Sequence, residues 1–514
     1  MSQKEVASEE YADGSVMPAI EPELVFGLVG PLGSNIEAVQ EALQAELRKV
    51  GYKFEDVHLT RDLSSVIPGI KLERLDTFSG KMDLMNEVVA ASGTTDFLAR
   101  LSIAMIAAKR LRSNIARGLK GKQAKDFQDG KTAYVIRQLK REQEAALLSK
   151  VYGEKFVQIS ISVSEEEQKQ SVLSIVAREN PELSQAERER RAQELIDRDR
   201  EEQNIKHGQG IVNIYHGGDV FVGGNKKDIS EQISRFIEAF FGSNFISPSK
   251  DELGSHLAKT ASLRTLDLSR QVGAAIMSPE GDVITLGCNE VPKPLGGNYW
   301  EDDTDPQRDI ERGVEPNKLE TTRLIHDFIH ALSKIEKLGL DPDLILKDPA
   351  LEDILKNAFV SDITEFGRIT HAEMTALSDA ARLGRSTLGA TIYVTTFPCH
   401  NCAKHLVAAG IKRIVYIEPY TKSKAFELSG DALSKSKTDS GKVVVEHFIG
   451  ISPRRYGRIF EKPKKRRDSK NRVKTWHYDV PTPIVSDKSG THIQLELQAL
   501  VGFDRTLASV KATV

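Results

Sequence analysis

The stretch HAEMTALSDAARLGRSTLGATIYVTTFPCHNCAKHLVAAGIKRIVYIE, residues 371–418, decides how this chain is read. Helix-forming runs alternate with two short β-branched runs, ATIYVTTF and IKRIVYIE, the rhythm of an α/β layer. Its chemistry sits at the junctions. His371 stands where the first helix begins, and Cys399 and Cys402 stand where the second begins. Two thiols spaced C-x-x-C at a helix start can point at one ion, and the helix N-terminus favours their anions. His371 supplies a third ligand, and three protein ligands leave the fourth tetrahedral position of a Zn2+ ion for water, as a catalytic site requires. Glu373, two residues from His371, can exchange protons with that water. A structural zinc site would call for a fourth Cys or His. The remaining cysteine, Cys288, lies in another motif and reads as a small buried side chain.

H-x-E followed by P-C-x-x-C is the signature of zinc deaminases. Together with Arg270-Gln271-Val272-Gly273-Ala274-Ala275 and Gly287-Cys288-Asn289-Glu290-Val291-Pro292, it makes residues 258–460 resemble the deoxycytidylate deaminase branch of the cytidine deaminase superfamily. The resemblance implies a three-layer α/β/α domain and hydrolysis of deoxycytidine nucleotides, dCMP or dCTP, in a homo-oligomer. It also implies three substrate contacts: Asn289 toward the nucleoside, the Ala372 main chain toward the base, and Tyr420 by stacking or on the phosphate side. Closing a turn is the plainer reading of Asn289. The longer architecture resembles AvcD-type bacterial anti-phage deaminases, which would imply depletion of the deoxycytidine nucleotide pool and restraint by a small antitoxin RNA.

Upstream, the apolar run LVFGLV at 24–29 leads through Gly30-Pro31-Leu32-Gly33-Ser34-Asn35 into a helical stretch. That is the setting of a phosphate-binding loop, with Gly30, Gly33 and Ser34 as candidate nucleotide contacts. The lysine and the magnesium-binding hydroxyl expected after the last glycine are replaced by Ser34 and Asn35, so phosphoryl transfer is not expected. The alternation of strands and helices to about residue 245 is that of a kinase-like parallel sheet. Helix is expected over 132–153 and strand at IVNIY (211–215); the charged run 164–206 reads as a helical excursion.

The expected organisation is an acidic arm at 1–21, a degenerate P-loop kinase-like domain at 22–245, and a deaminase domain at 255–514 with an insertion at about 290–366. A chain of 514 residues accommodates this number of domains. Three cysteines, two of them in one C-x-x-C, exclude a disulfide framework and point to a reducing cytoplasm. No apolar run is long enough for a bilayer, and the polar start is unlike a secretory signal. Net charge is −3, so contact with a polyanion would have to use local patches such as the basic run 462–474; the run at 109–125 reads as a solvated helix face. Two further readings remain: a polynucleotide cytosine deaminase, which 6% aromatics do not favour, and a zinc-containing nucleotide- or RNA-binding regulator, which has no use for Glu373. His326 and His330, at i and i+4, have zincin spacing with Asp327 in place of the glutamate, and read as helix residues of the insertion.

Overall fold

The computed structural model describes residues 22–67, 75–128, 130–200, 210–356, 358–439, 441–485 and 492–513. The arm at 1–21 lies outside them. The chain forms two compact units, one from residues 1–252 and 449–514, the other from residues 253–448. Each holds a parallel-rich sheet.

In the first unit five parallel strands, β1 (Leu24–Val29), β2 (Lys53–Val57), β3 (Thr132–Ile136), β4 (Phe156–Ser162) and β5 (Val220–Gly223), run in the order β5-β4-β1-β3-β2. β1 is apolar on both faces because both are covered. Leu24, Phe26 and Leu28 enter one core with α1 (Ile36–Lys49), while Val25 and Val29 enter another with α2 (Phe97–Ala116). The charged excursion folds as α3 (Glu165–Glu179) and α4 (Gln185–Arg200), and α5 (Lys226–Phe240) packs on the α1 side.

Several local expectations change here. TAYVI at 132–136 is β3, buried between β1 and β2, and the helix begins only at Glu142. IVNIY is a short helix whose Ile211 and Ile214, three residues apart, share one buried side. Residues 449–514, expected in the deaminase domain, cluster with the first unit instead. There Gly450–Ile451 adds antiparallel to β5, and Arg455 binds Asp219 at 3.0 Å. The basic run at 109–125 is not wholly a solvated face, because Arg110 is 2% exposed. Its guanidinium donates to Glu23 (2.8 Å) and to Glu496 (2.7 Å), and His492 reaches Glu23 at 2.8 Å.

The second unit contains β6 (Gly273–Met277), β7 (Val283–Cys288), β8 (Thr391–Thr396), β9 (Arg413–Glu418), β10 (Leu433–Ser434) and β11 (Val443–His447), in the order β10-β11-β9-β8-β6-β7. β6 runs antiparallel to both β7 and β8, and the remaining pairs are parallel. α6 (Lys250–Ser262) lies on one face. A Cβ at Gly273 would collide with Ala258 O and come within 2.6 Å of Ser262 N, so only glycine lets α6 approach β6 this closely. On the other face Ala274, Ile276, Ile392 and Ile414 share a core with α8 (Ala372–Arg382) and α9 (His400–Ala408). The insertion carries α7 (Pro316–Ser333), on which His326 and His330 are exposed.

Candidate metal centre

The site is built from two helix starts on one face of the second sheet. His371 is the N-cap of α8 and Cys399 the N-cap of α9, each with extended backbone. The Cys402 main-chain N–H donates to Cys399 Sγ at 3.4 Å, which fixes the thiol at the start of its helix. Both sulfurs lie 3.4 Å from His371 Nδ1. His371, Cys399 and Cys402 form the one group of three or more potential ligands among the described residues, with all ligand atoms within 4.8 Å of each other.

The donor set and spacing fit zinc. A tetrahedral ion with Zn–S of about 2.3 Å and Zn–N of about 2.0–2.1 Å separates its sulfur and nitrogen ligands by about 3.6 Å. The observed 3.4 Å is within about 0.2 Å of that edge. The charge pattern is also suitable. Hydrogen bonds from Cys402 and His371 hold the Cys399 thiol down at about 4 against the effect of burial, favouring the thiolate. The hydrogen bond to Cys399 and burial push the Cys402 thiol up.

Glu373, in the first turn of α8, is 4% exposed. Its carboxyl interacts with the Cys402 thiol, which places it beside the ligand cluster. Burial is the largest influence on it and raises its proton affinity.

β7 fixes the height of α8 through Gly287. A Cβ there would strike Ala372 O and come within 2.6 Å of Ala376 N. Thr285 ties the same two elements together, donating to Ala376 O at 2.9 Å. An isolated glycine inside a strand signals such an approach, so the sequence held a cue to Gly287's role.

The other expected site residues occupy different positions. Ala372 is fully buried, and its N–H is among the first in α8, where no intrahelical partner exists. Tyr420 is half-buried in the turn after β9; Ser423 joins this turn to the cysteine loop by donating to Pro398 O at 2.8 Å. Asn289 is 6% exposed and serves as a clamp. Its Oδ1 accepts from Val272 N at 2.7 Å, and its Nδ2 donates to Asp267 Oδ2 at 2.6 Å and Arg270 O at 2.8 Å. Asp267 is a neighbour that the sequence did not single out, and its charge acts on His371. Cys288 is buried and free. Gly30, Gly33 and Ser34 belong to the first unit, in the loop between β1 and α1.

Residues 248–418 match the family model described as the cytidine and deoxycytidylate deaminase zinc-binding region. This segment is therefore similar to the zinc-binding region of that deaminase family. Its cofactor is Zn2+, on that match and on the His–Cys–Cys group. The chain is 54% identical over 54 residues to the deoxycytidylate deaminase of Enterobacteria phage T2, a match covering 10% of this chain and 29% of the relative. To the deoxycytidylate deaminase of Mus musculus it is 26% identical over 199 residues, covering 37% of this chain and 81% of the relative. The chain thus spans under a third of the length of the phage relatives it matches. A solved dCMP deaminase of cyanophage S-TIM5, in complex with dCMP and dUMP, aligns with a TM-score of 0.22 and 19% identity, covering 39% of this chain and 98% of that one. Among the described residues, no helix is long and apolar enough to cross a membrane.

Proposed function

We propose that the unit at 253–448 hydrolyses the 4-amino group of cytosine in free deoxycytidine nucleotides, dCMP or dCTP, giving the deoxyuridine nucleotide and ammonia. The observation that carries this reading is the buried Glu373 carboxyl against Cys402, in the same helix turn that is capped by His371. A purely structural zinc gains nothing from a buried carboxyl at its side, whereas hydrolysis needs a group that moves protons there.

His371, Cys399 and Cys402 would hold the ion, which supplies the Lewis acidity that makes water nucleophilic near neutral pH. Glu373 takes a proton from the water that attacks C4 and passes it to ring nitrogen N3. It then carries the second proton to the amino nitrogen, the C4–N bond breaks, and ammonia leaves. The Ala372 N–H would donate to the base, Tyr420 would pack near the phosphate side, and Asn289 would use the second lone pair of Oδ1 for the sugar. Pool depletion during phage infection and restraint by a small RNA extend this reading on the architectural resemblance, and a homo-oligomeric state extends it on the resemblance to the deoxycytidylate deaminase branch.

The test is incubation of the purified chain with dCMP, dCTP, cytidine, CTP and a cytosine-containing single strand, with products followed by mass spectrometry. Conversion of dCMP or dCTP ahead of the others supports the reading. Conversion of the single strand alone, or of nothing by zinc-loaded protein, overturns it.

A further inference from the structure

The loop between β1 and α1 in the first unit already contains an oxyanion, and the chain supplies it. The Leu32 N–H donates to Asp199 Oδ2 at 2.6 Å, and Lys140 Nζ binds Asp199 Oδ1 at 2.6 Å and Gly30 O at 3.1 Å. Asp199 is 2% exposed. A main-chain N–H at a glycine-containing turn before a helix, with an ammonium beside it, is the set of donors that holds a phosphate oxygen. Gly33 makes the turn at φ +88°, a backbone shape that side-chain-bearing residues rarely adopt. Ser34 Oγ is buried in the same loop with no hydrogen-bond partner. The positions after Asn35 are Ile36, which enters the core, and Glu37, so the positive charge comes from Lys140 beyond β3.

The group that brings Asp199 to the loop is held firmly. Leu32 packs in a cluster with Val172 and Val176 of α3 and Ala192, Leu195 and Ile196 of α4. Gln168 Nε2 donates to Leu32 O at 3.0 Å, so the α3–α4 pair engages the side chain, the N–H and the carbonyl of one loop residue.

We propose that α3–α4 is a built-in stopper of a phosphate-binding loop: Asp199 takes the place of a phosphate oxyanion, and the loop accepts phosphate only when that carboxylate is removed. A tethered anion competes at an effective concentration of about millimolar or more, so free phosphate at lower concentration does not displace it. This inference is independent of the deaminase reading.

The test uses the full chain and inorganic pyrophosphate, titrated by calorimetry into wild type, Asp199→Ala, Asp199→Asn and the double variant Asp199→Ala with Lys140→Met. Expected are no saturable binding by wild type at micromolar pyrophosphate, a gain of about tenfold or more in affinity in the Asp199 variants, and loss of that gain in the double variant. Asp199→Asn keeps an oxygen for the Leu32 N–H while removing the charge, so it carries the test if the alanine variant does not fold, as judged by circular dichroism. Equal affinity in wild type and a folded Asp199 variant, no binding by either, or a gain that survives loss of Lys140 overturns the stopper.

Discussion

Replacing Gly287 with alanine tests whether the spacing between β7 and α8 sets the site. The added methyl would strike Ala372 O and sit 2.6 Å from Ala376 N, both in the main chain of the helix that starts at His371. Bringing the approach to Ala376 N alone to an ordinary contact of about 3.4 Å requires a movement of about 0.8 Å, and the collision with Ala372 O requires more. No flexible side chain can absorb it, because both atoms are main chain. Overpacking of this kind costs about 1–3 kcal/mol, which lowers the melting midpoint of a unit this size by roughly 2–12 °C. The larger effect falls on function. His371 and Glu373 ride on the displaced turn, and a misplacement of about 1 Å lowers turnover by about 100-fold. The assay combines calorimetric unfolding, zinc content and deamination of dCMP and dCTP by Gly287→Ala and wild type. Wild-type turnover in a variant that unfolds normally would refute the argument.

Arg110→Met leaves Glu23 and Glu496 buried without their shared cation, and is expected to destabilise the first unit by about 3–5 kcal/mol in urea unfolding; an unchanged midpoint contradicts this. The same cluster sets an acid limit. Burial alone would raise Glu23's proton affinity, but the His492 hydrogen bond and the Arg110 charge overcome it and hold the carboxyl below its ordinary range. A depressed carboxyl stabilises the fold above its unfolded value of about 4.3, and that stability is lost as pH falls through the folded value. The gap in melting temperature between wild type and Glu23→Gln should therefore be constant from pH 7 to about 5 and narrow below about 4. A gap that stays constant to pH 3 would count against the ion cluster.

The metal group was legible because its information is local. C-x-x-C and H-x-E place ligand types at helix starts, and helix capping does the rest. β8 and β9 were legible for the same reason, as short β-branched runs between turns. What local pattern could not disclose was pairing over distance. TAYVI carries a strand's residues, yet its neighbouring helix drew it into the wrong element; its place between β1 and β2 settles the matter. Nothing in residues 449–514 announces that Gly450–Ile451 adds to β5, or that Glu496 meets Arg110. Asn289 shows the limit at a single residue. Its motif suggested a substrate contact but gave no sign of the three internal hydrogen bonds that also make it a clamp on the loop containing Asp267. Asp199 lies 167 residues from Leu32, in a stretch that reads only as charged helix.

In the proposed reaction Glu373 performs chemistry at a zinc held by other residues. Glu373→Gln preserves the size of the side chain and leaves His371, Cys399 and Cys402 in place. The decisive measurement is zinc per chain by elemental analysis together with dCMP and dCTP turnover, made on the same preparations of wild type and Glu373→Gln. One zinc ion per chain is expected in both proteins, with a fall in turnover of at least about 100-fold in the variant. Loss of zinc from Glu373→Gln, or turnover near that of wild type with zinc retained, would contradict it.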